Sequence, residues 1–271
     1  MQQPELRRLQ AGGHSVAYRT AGEGPPLVLL HGFLCDSRVW RQQLTALSDR
    51  FRVIAWDAPG AGSSWDPPLE FGITDWARCL AEFLTAFGVG RAHLLGLSWG
   101  GLLAQEFYRL YPERIQRLVL ADTYAGWKGS LPGEACDKRL ARCLQESTLA
   151  SDEFVRRWVP NEFFAQPVPE ALVQEMSRVI ADFHPQAFRL MAKSLAEADT
   201  TSLLPKIDVP TLLLWGEGDR RSPLSIAAEF HRAIPHSELA IIRGAGHVSN
   251  MERPDEFSAE VRRFCGPPLT D

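Results

Sequence analysis

The 271-residue chain lacks a long hydrophobic run: none exceeds the four residues of Leu27–Leu30, far short of what a helix needs to cross a bilayer. The first residues, Met1 to Arg8, hold no apolar segment of signal-peptide length, so the expected setting is cytoplasmic. There is little charge imbalance. With 29 Lys and Arg against 33 Asp and Glu, the net charge is −4, which gives no pull toward nucleic acid or an anionic membrane. Five cysteines (Cys35, Cys79, Cys136, Cys143, Cys265) make an odd set without a CxxC pair. That pattern argues against a disulfide framework and a zinc knuckle. There is also no GxGxxG opening a helix and no P-loop lysine, so no nucleotide is expected. Neither metal nor organic cofactor is implied, and the expected partner is a small-molecule substrate. Whether the chain is a monomer or a dimer is not encoded in these features.

What is present is a rhythm. Short apolar segments, Pro26–Leu30, Arg52–Trp56, Ala92–Leu97, Arg117–Ala121, Thr211–Trp215 and Glu238–Ile242, alternate with segments of helical period. Most are continuously apolar rather than alternating, as strands covered on both faces are. His14–Arg19 alternates and reads as an early antiparallel strand. Helices are predicted over Ser37–Leu47, Thr74–Phe87, Trp99–Tyr111, Pro223–Ile234 and Pro254–Phe264, with Thr74 or Asp75 as a cap and Gly88 closing the second. The fold class is therefore α/β, a mostly parallel, doubly covered sheet. From about Tyr124 to Lys206 the strand rhythm stops. Cys136–Glu146, Asp152–Trp158, Pro169–Ala181 and Gln186–Ala198 read as helices of an inserted all-helical lid. The expected division is 1–124 and 207–271 for the two parts of the core and 125–206 for the lid.

Gly96-Leu97-Ser98-Trp99-Gly100-Gly101 follows a strand and opens a helix, the context of a nucleophile elbow. The helix start favours negative charge developing near Ser98. A serine hydroxyl needs a base to take its proton. His247, in Gly244-Ala245-Gly246-His247 just after the last predicted strand, is the candidate. Asp219 follows the Thr211–Trp215 strand and completes the order Ser, Asp, His. Asp122, at the end of the preceding strand, is a rival acid.

These segments, with Gly24-Pro25-Pro26-Leu27-Val28-Leu29-Leu30-His31-Gly32-Phe33, Asp57-Ala58-Pro59-Gly60-Ala61-Gly62-Ser63-Ser64 and Leu214-Trp215-Gly216-Glu217-Gly218-Asp219, closely resemble the α/β-hydrolase superfamily. The branch includes carboxylesterases, enol-lactonases, meta-cleavage C–C hydrolases and cofactor-free haloperoxidases. The resemblance covers the chain outside the helical stretch. It implies an oxyanion hole made by the backbone N–H groups of Trp99 and Phe33, with His31 structural. The expected activity is hydrolysis of a small to medium ester or lactone by a Ser98–His247–Asp219 triad. C–C bond cleavage, peracid formation, an iminopeptidase using lid glutamates (Glu146, Glu153, Glu162, Glu170, Glu175) and a non-catalytic receptor are the alternatives. Trp127, Trp158, Phe163, Phe164 and Phe188 are the candidate pocket residues of the lid, suiting an uncharged acyl or ring group. Arg156, Arg157 and Arg178 are expected to face water.

Overall fold

The computed structural model describes residues 4–266; Met1–Gln3 and residues 267–271, included in the expected division of the chain, lie outside the described residues. Eight strands form one sheet: β1 (Arg7–Ala11), β2 (His14–Ala21), β3 (Pro26–Leu30), β4 (Arg52–Trp56), β5 (Ala92–Leu97), β6 (Ile115–Ala121), β7 (Thr211–Gly216) and β8 (Glu238–Ile242). Their spatial order is β1-β2-β4-β3-β5-β6-β7-β8. The first two are antiparallel to their neighbours and the other six run parallel, with Val28 level with Ile54 and Leu94. Strands β5 and β7 are buried along their whole length, which is why they read as unbroken apolar runs.

Helices α1 (Arg41–Ala46), α2 (Ile73–Ala86), α3 (Trp99–Leu110), α9 (Leu224–Ala233) and α11 (Pro254–Cys265) cover the sheet, and α10 (Ser249–Glu252) is a single turn. Between β6 and β7 lie α4 (Trp127–Ser130), α5 (Gly133–Glu146), α6 (Ser151–Glu162), α7 (Glu170–Ile180) and α8 (Pro185–Glu197), with no strand among them. The sheet and the helical insertion share one apolar core. None of the described helices is long and apolar enough to cross a membrane.

One strand was not expected, and two local expectations are corrected. Strand β1 escapes the apolar pattern because it is a half-exposed edge, Arg-Arg-Leu-Gln-Ala. Its signal was the Gly12-Gly13 pair, whose positive φ angles make the hairpin turn to β2. Thr74 does not cap α2. Its hydroxyl donates to Glu106, while the Asp75 carboxylate accepts from the N–H of Gly72, the residue before the helix. The third helix of the insertion continues through Pro160 to Glu162 rather than ending at Trp158.

Candidate active site

Three loops at the carboxyl edge of the sheet carry backbone that side-chain-bearing residues rarely adopt: Leu34 after β3, Ser98 after β5 and Asp122 after β6 all have positive φ. Such geometry persists only where its surroundings enforce it. At Ser98 (φ 54°, ψ −117°) the enforcement comes from missing side chains. A Cβ on Gly96 would lie 2.2 Å from the Gly100 carbonyl oxygen, and one on Gly100 would lie 2.2 Å from that of Leu30. Strand, turn and helix pack backbone against backbone, so the glycines of the motif follow from distance alone. The Ser98 N–H donates to Ala121, and the Thr123 hydroxyl donates to the Ser98 carbonyl.

Ser98 Oγ lies 2.8 Å from His247 Nε2, and His247 Nδ1 lies 2.8 Å from Asp219 Oδ2. The other Asp219 oxygen accepts from the N–H groups of Arg221 and Ser222. These bonds fix the carboxylate in the plane it offers the imidazole. A donor at Nδ1 leaves Nε2 as the acceptor for the serine proton. All three side chains are buried, with Ser98 and His247 only 3% exposed.

Asp122 lies elsewhere. One oxygen accepts from the Gly216 N–H, and the other sits 2.5 Å from Ser249 Oγ. Burial, and then the charge of Asp219, push its pKa well above the carboxylate range. It braces the turn that leads to Asp219 and the turn that follows His247.

The backbone N–H of Trp99, first residue of α3, and that of Phe33 donate to no carbonyl among the described residues. Buried N–H groups without partners are rare, and a pair of them beside a serine suits an oxygen that becomes negative. Gly32 brings its loop onto the serine: a Cβ there would touch Ser98 Cβ at 3.4 Å. His31 ties this loop to the next, its Nε2 accepting from Ala58 N–H and its Nδ1 donating to Gly32. Burial lowers its pKa and keeps it neutral, as that pair of bonds requires.

The five aromatic residues singled out in the insertion are all buried. Trp127, Trp158 and Phe188 surround the Phe33 ring at centroid distances of 6.3, 6.0 and 5.4 Å. Phe163 and Phe164 instead meet the histidine loop through their backbone. The His247 N–H donates to the Phe163 carbonyl at 2.8 Å, and a Cβ on Gly246 would lie 2.6 Å from the carbonyl carbon of Phe164. Glu252 spans the same junction, accepting from Ala165 N–H with one oxygen and Gly246 N–H with the other. Burial raises its pKa to about 7.

Sequence reasoning missed Glu252 and Arg221. The first had no signal apart from lying five residues after His247. The second follows Asp219 within Asp-Arg-Arg, and its guanidinium lies over the rings of Phe33 and Trp158. Arg156 and Arg157 do pair with acids on their own helix, Asp152 and Glu153.

A family model for the alpha/beta hydrolase fold matches residues 25–254. The chain is 31% identical to a hydrolase from Pseudomonas aeruginosa PA01, with a TM-score of 0.85 over 97% of this chain and 99% of that one. It is 29% identical to a thermophilic esterase from Thermogutta terrifontis, with a TM-score of 0.86 over 96% and 98% of the two chains. Among curated proteins, a pimeloyl-[acyl-carrier protein] methyl ester esterase of Aliivibrio salmonicida is 26% identical over 93% of this chain and 97% of its own length. Motif order, sheet topology and these relatives lead to one conclusion: the chain belongs to the α/β-hydrolase fold family.

Proposed function

We propose that the protein is a serine hydrolase that cleaves a small to medium carboxylic ester or lactone through an acyl-enzyme. The observation that carries this reading is the pair of 2.8 Å contacts from Ser98 Oγ to His247 Nε2 and from His247 Nδ1 to Asp219. His247 takes the Ser98 proton as Oγ attacks the acyl carbon, and Asp219 stabilises the imidazolium. The new oxyanion is received by the N–H groups of Phe33 and Trp99 at the positive end of α3. His247 then gives its proton to the leaving alkoxide. In the second half, water takes the place of the alcohol and the same transfers free the acid.

Residues 125–206 act as a lid over this centre. The near-complete burial of Ser98 supports that role, because substrate has no open surface from which to approach it. A closed lid of packed aromatics favours compact acyl groups, so kcat/KM in a chain-length series of esters peaks at about eight carbons or fewer. A steady rise to palmitate would contradict a closed pocket. The iminopeptidase reading loses its support. Glu146, Glu153, Glu162 and Glu175 are paired with arginines, which leaves only Glu170, exposed at the start of α7 and bonded to the neutral amide of Gln174, without a cationic partner among these five.

The test is labelling with a fluorophosphonate together with turnover of p-nitrophenyl esters, lactones and β-diketones. Ser98→Ala, folded by circular dichroism, loses both label and several orders of magnitude of turnover. A variant that keeps near wild-type rates removes Ser98 from the chemistry.

A further inference from the structure

Three buried side-chain donors without acceptors surround one ring. Among the described residues, Trp127 Nε1, Trp158 Nε1 and Arg221 Nε have no hydrogen-bond partner, although all three residues are more than nine-tenths buried. Each packs on Phe33, the two indoles at the distances given above and the Arg221 guanidinium carbon at 5.3 Å from the ring centroid. Other buried indoles, such as those of Trp40 and Trp56, also lack an acceptor. Each of those sits on its own neighbour, Phe257 or Phe83, within the core of the sheet. Among the described residues, only the Phe33 cluster sets two such indoles and a guanidinium around a residue of the candidate active site.

Charge adds a second observation. A cavity of about 240 Å³ opens along the seam between α5, α6 and the turn after Asp219. Arg139, Arg142, Arg220 and Arg221 line it with Trp158, and Glu162 is its one carboxylate. Glu162 is already bonded to both Arg142 and Arg221. A buried guanidinium with an unused N–H is costly until an acceptor completes it, and its fork geometry matches a carboxylate. Position is the third observation. Phe33 follows Gly32, which packs on Ser98, so the cationic group is one aromatic ring away from the serine loop.

We propose that Arg221, with the indole N–H of Trp158, forms an anion subsite, and that the substrate is an ester or lactone bearing a second, ionised carboxylate. This rests on the hydrolytic reading of Ser98 and replaces the uncharged acyl group expected from the aromatic content of the lid. Arg221 binds the remote carboxylate, Phe33 and Trp158 flank the chain, and the scissile carbonyl reaches Ser98.

The experiment compares kcat/KM for the monomethyl and dimethyl esters of short dicarboxylic acids at about pH 8, where the half-ester is ionised. A second pair, acetate esters of glycolate and of its methyl ester, carries the charge on the alcohol side. The expected result is a preference of about tenfold or more for the anionic member of one pair. It falls to near parity in Arg221→Gln, where Glu162 keeps Arg142, and by a smaller factor in Trp158→Phe, which retains a ring and removes the N–H. Parity in both wild-type pairs, or a preference that Arg221→Gln leaves intact, overturns the subsite. Calorimetry with a free dicarboxylate such as adipate on folded Ser98→Ala separates the two claims. Salt-sensitive binding that disappears in Ser98→Ala/Arg221→Gln supports the subsite even if the wild type hydrolyses no ester. Absence of binding refutes it even if ester hydrolysis stands.

Discussion

At the serine turn, a single methyl group added to Gly100 would sit 2.2 Å from a carbonyl oxygen. In the helical insertion, Phe154 meets Trp158, Phe183 and Phe188 ring against ring, at centroid distances of 5.1, 4.3 and 5.5 Å. Both regions are buried, and each is held by a different kind of contact. The turn is held by backbone approaching backbone, which admits only particular residues. The insertion is held by side-chain volume, which many combinations of apolar residues supply. Identity matters in the first region and bulk in the second.

The largest expected effect sharpens this contrast within the sheet edge itself. Asp219→Asn lowers turnover by about 10³ to 10⁴, since an amide cannot hold the imidazole in the required tautomer. Asp122→Asn costs far less turnover, because Asp122 contacts Gly216 and Ser249 instead of His247. Steady-state kinetics on the two folded variants decide, and the reverse ranking would move the acid to the end of β6.

Next in size is a pair of substitutions that sets one region against the other. Gly100→Ala destabilises by about 3 kcal/mol or more, because the clash is with main chain that cannot rotate away. Phe183→Leu, in the half-buried rim of the aromatic cluster, costs about 1 to 2 kcal/mol. Urea midpoints measure both. Equal losses would break the distinction between identity and bulk.

A pH-dependent effect belongs to Glu252, where the two regions meet. Burial raises its folded pKa from 4.5 to about 7. The folded state therefore holds this proton more tightly than the unfolded chain. The contribution to stability is complete below about pH 4.5 and is lost as pH rises through 7. Glu252→Gln removes that downward slope. Unfolding midpoints collected from pH 4.5 to 8 should show a flatter profile for the variant, and identical profiles would remove Glu252 as a titrating group.

The same contrast explains what could be read from sequence. The elbow, Asp219 and His247 were legible because the turn that displays each one demands glycines at fixed offsets. The parallel strands were legible because burial on both faces leaves no polar alternation. Strand β1 was hidden by its exposed arginines, and the last turn of α6 by Pro160, which a helix interior seldom tolerates. The insertion announced its helices and its aromatic content but not their directions. Phe33 gathers Trp127, Trp158 and Phe188 from three separate helices, an arrangement that no spacing along the chain encodes. Arg221 and Glu252 were missed for the same reason, since their partners lie 59 and 87 residues away in Glu162 and Ala165.

Gly246 carries a practical lesson for engineers who wish to exchange the helical insertion for another. The residue precedes His247, yet the atoms that exclude a Cβ from it belong to Phe164 and Ala165. The motif around the histidine thus bears the imprint of a segment far away in sequence. A transplanted cap that replaces residues 163–165 would remove the carbonyl that anchors the His247 N–H and the amide that Glu252 holds. A graft whose junctions fall before Phe163 and after Ala165, leaving that short stretch native, carries foreign helices while the histidine keeps its seat.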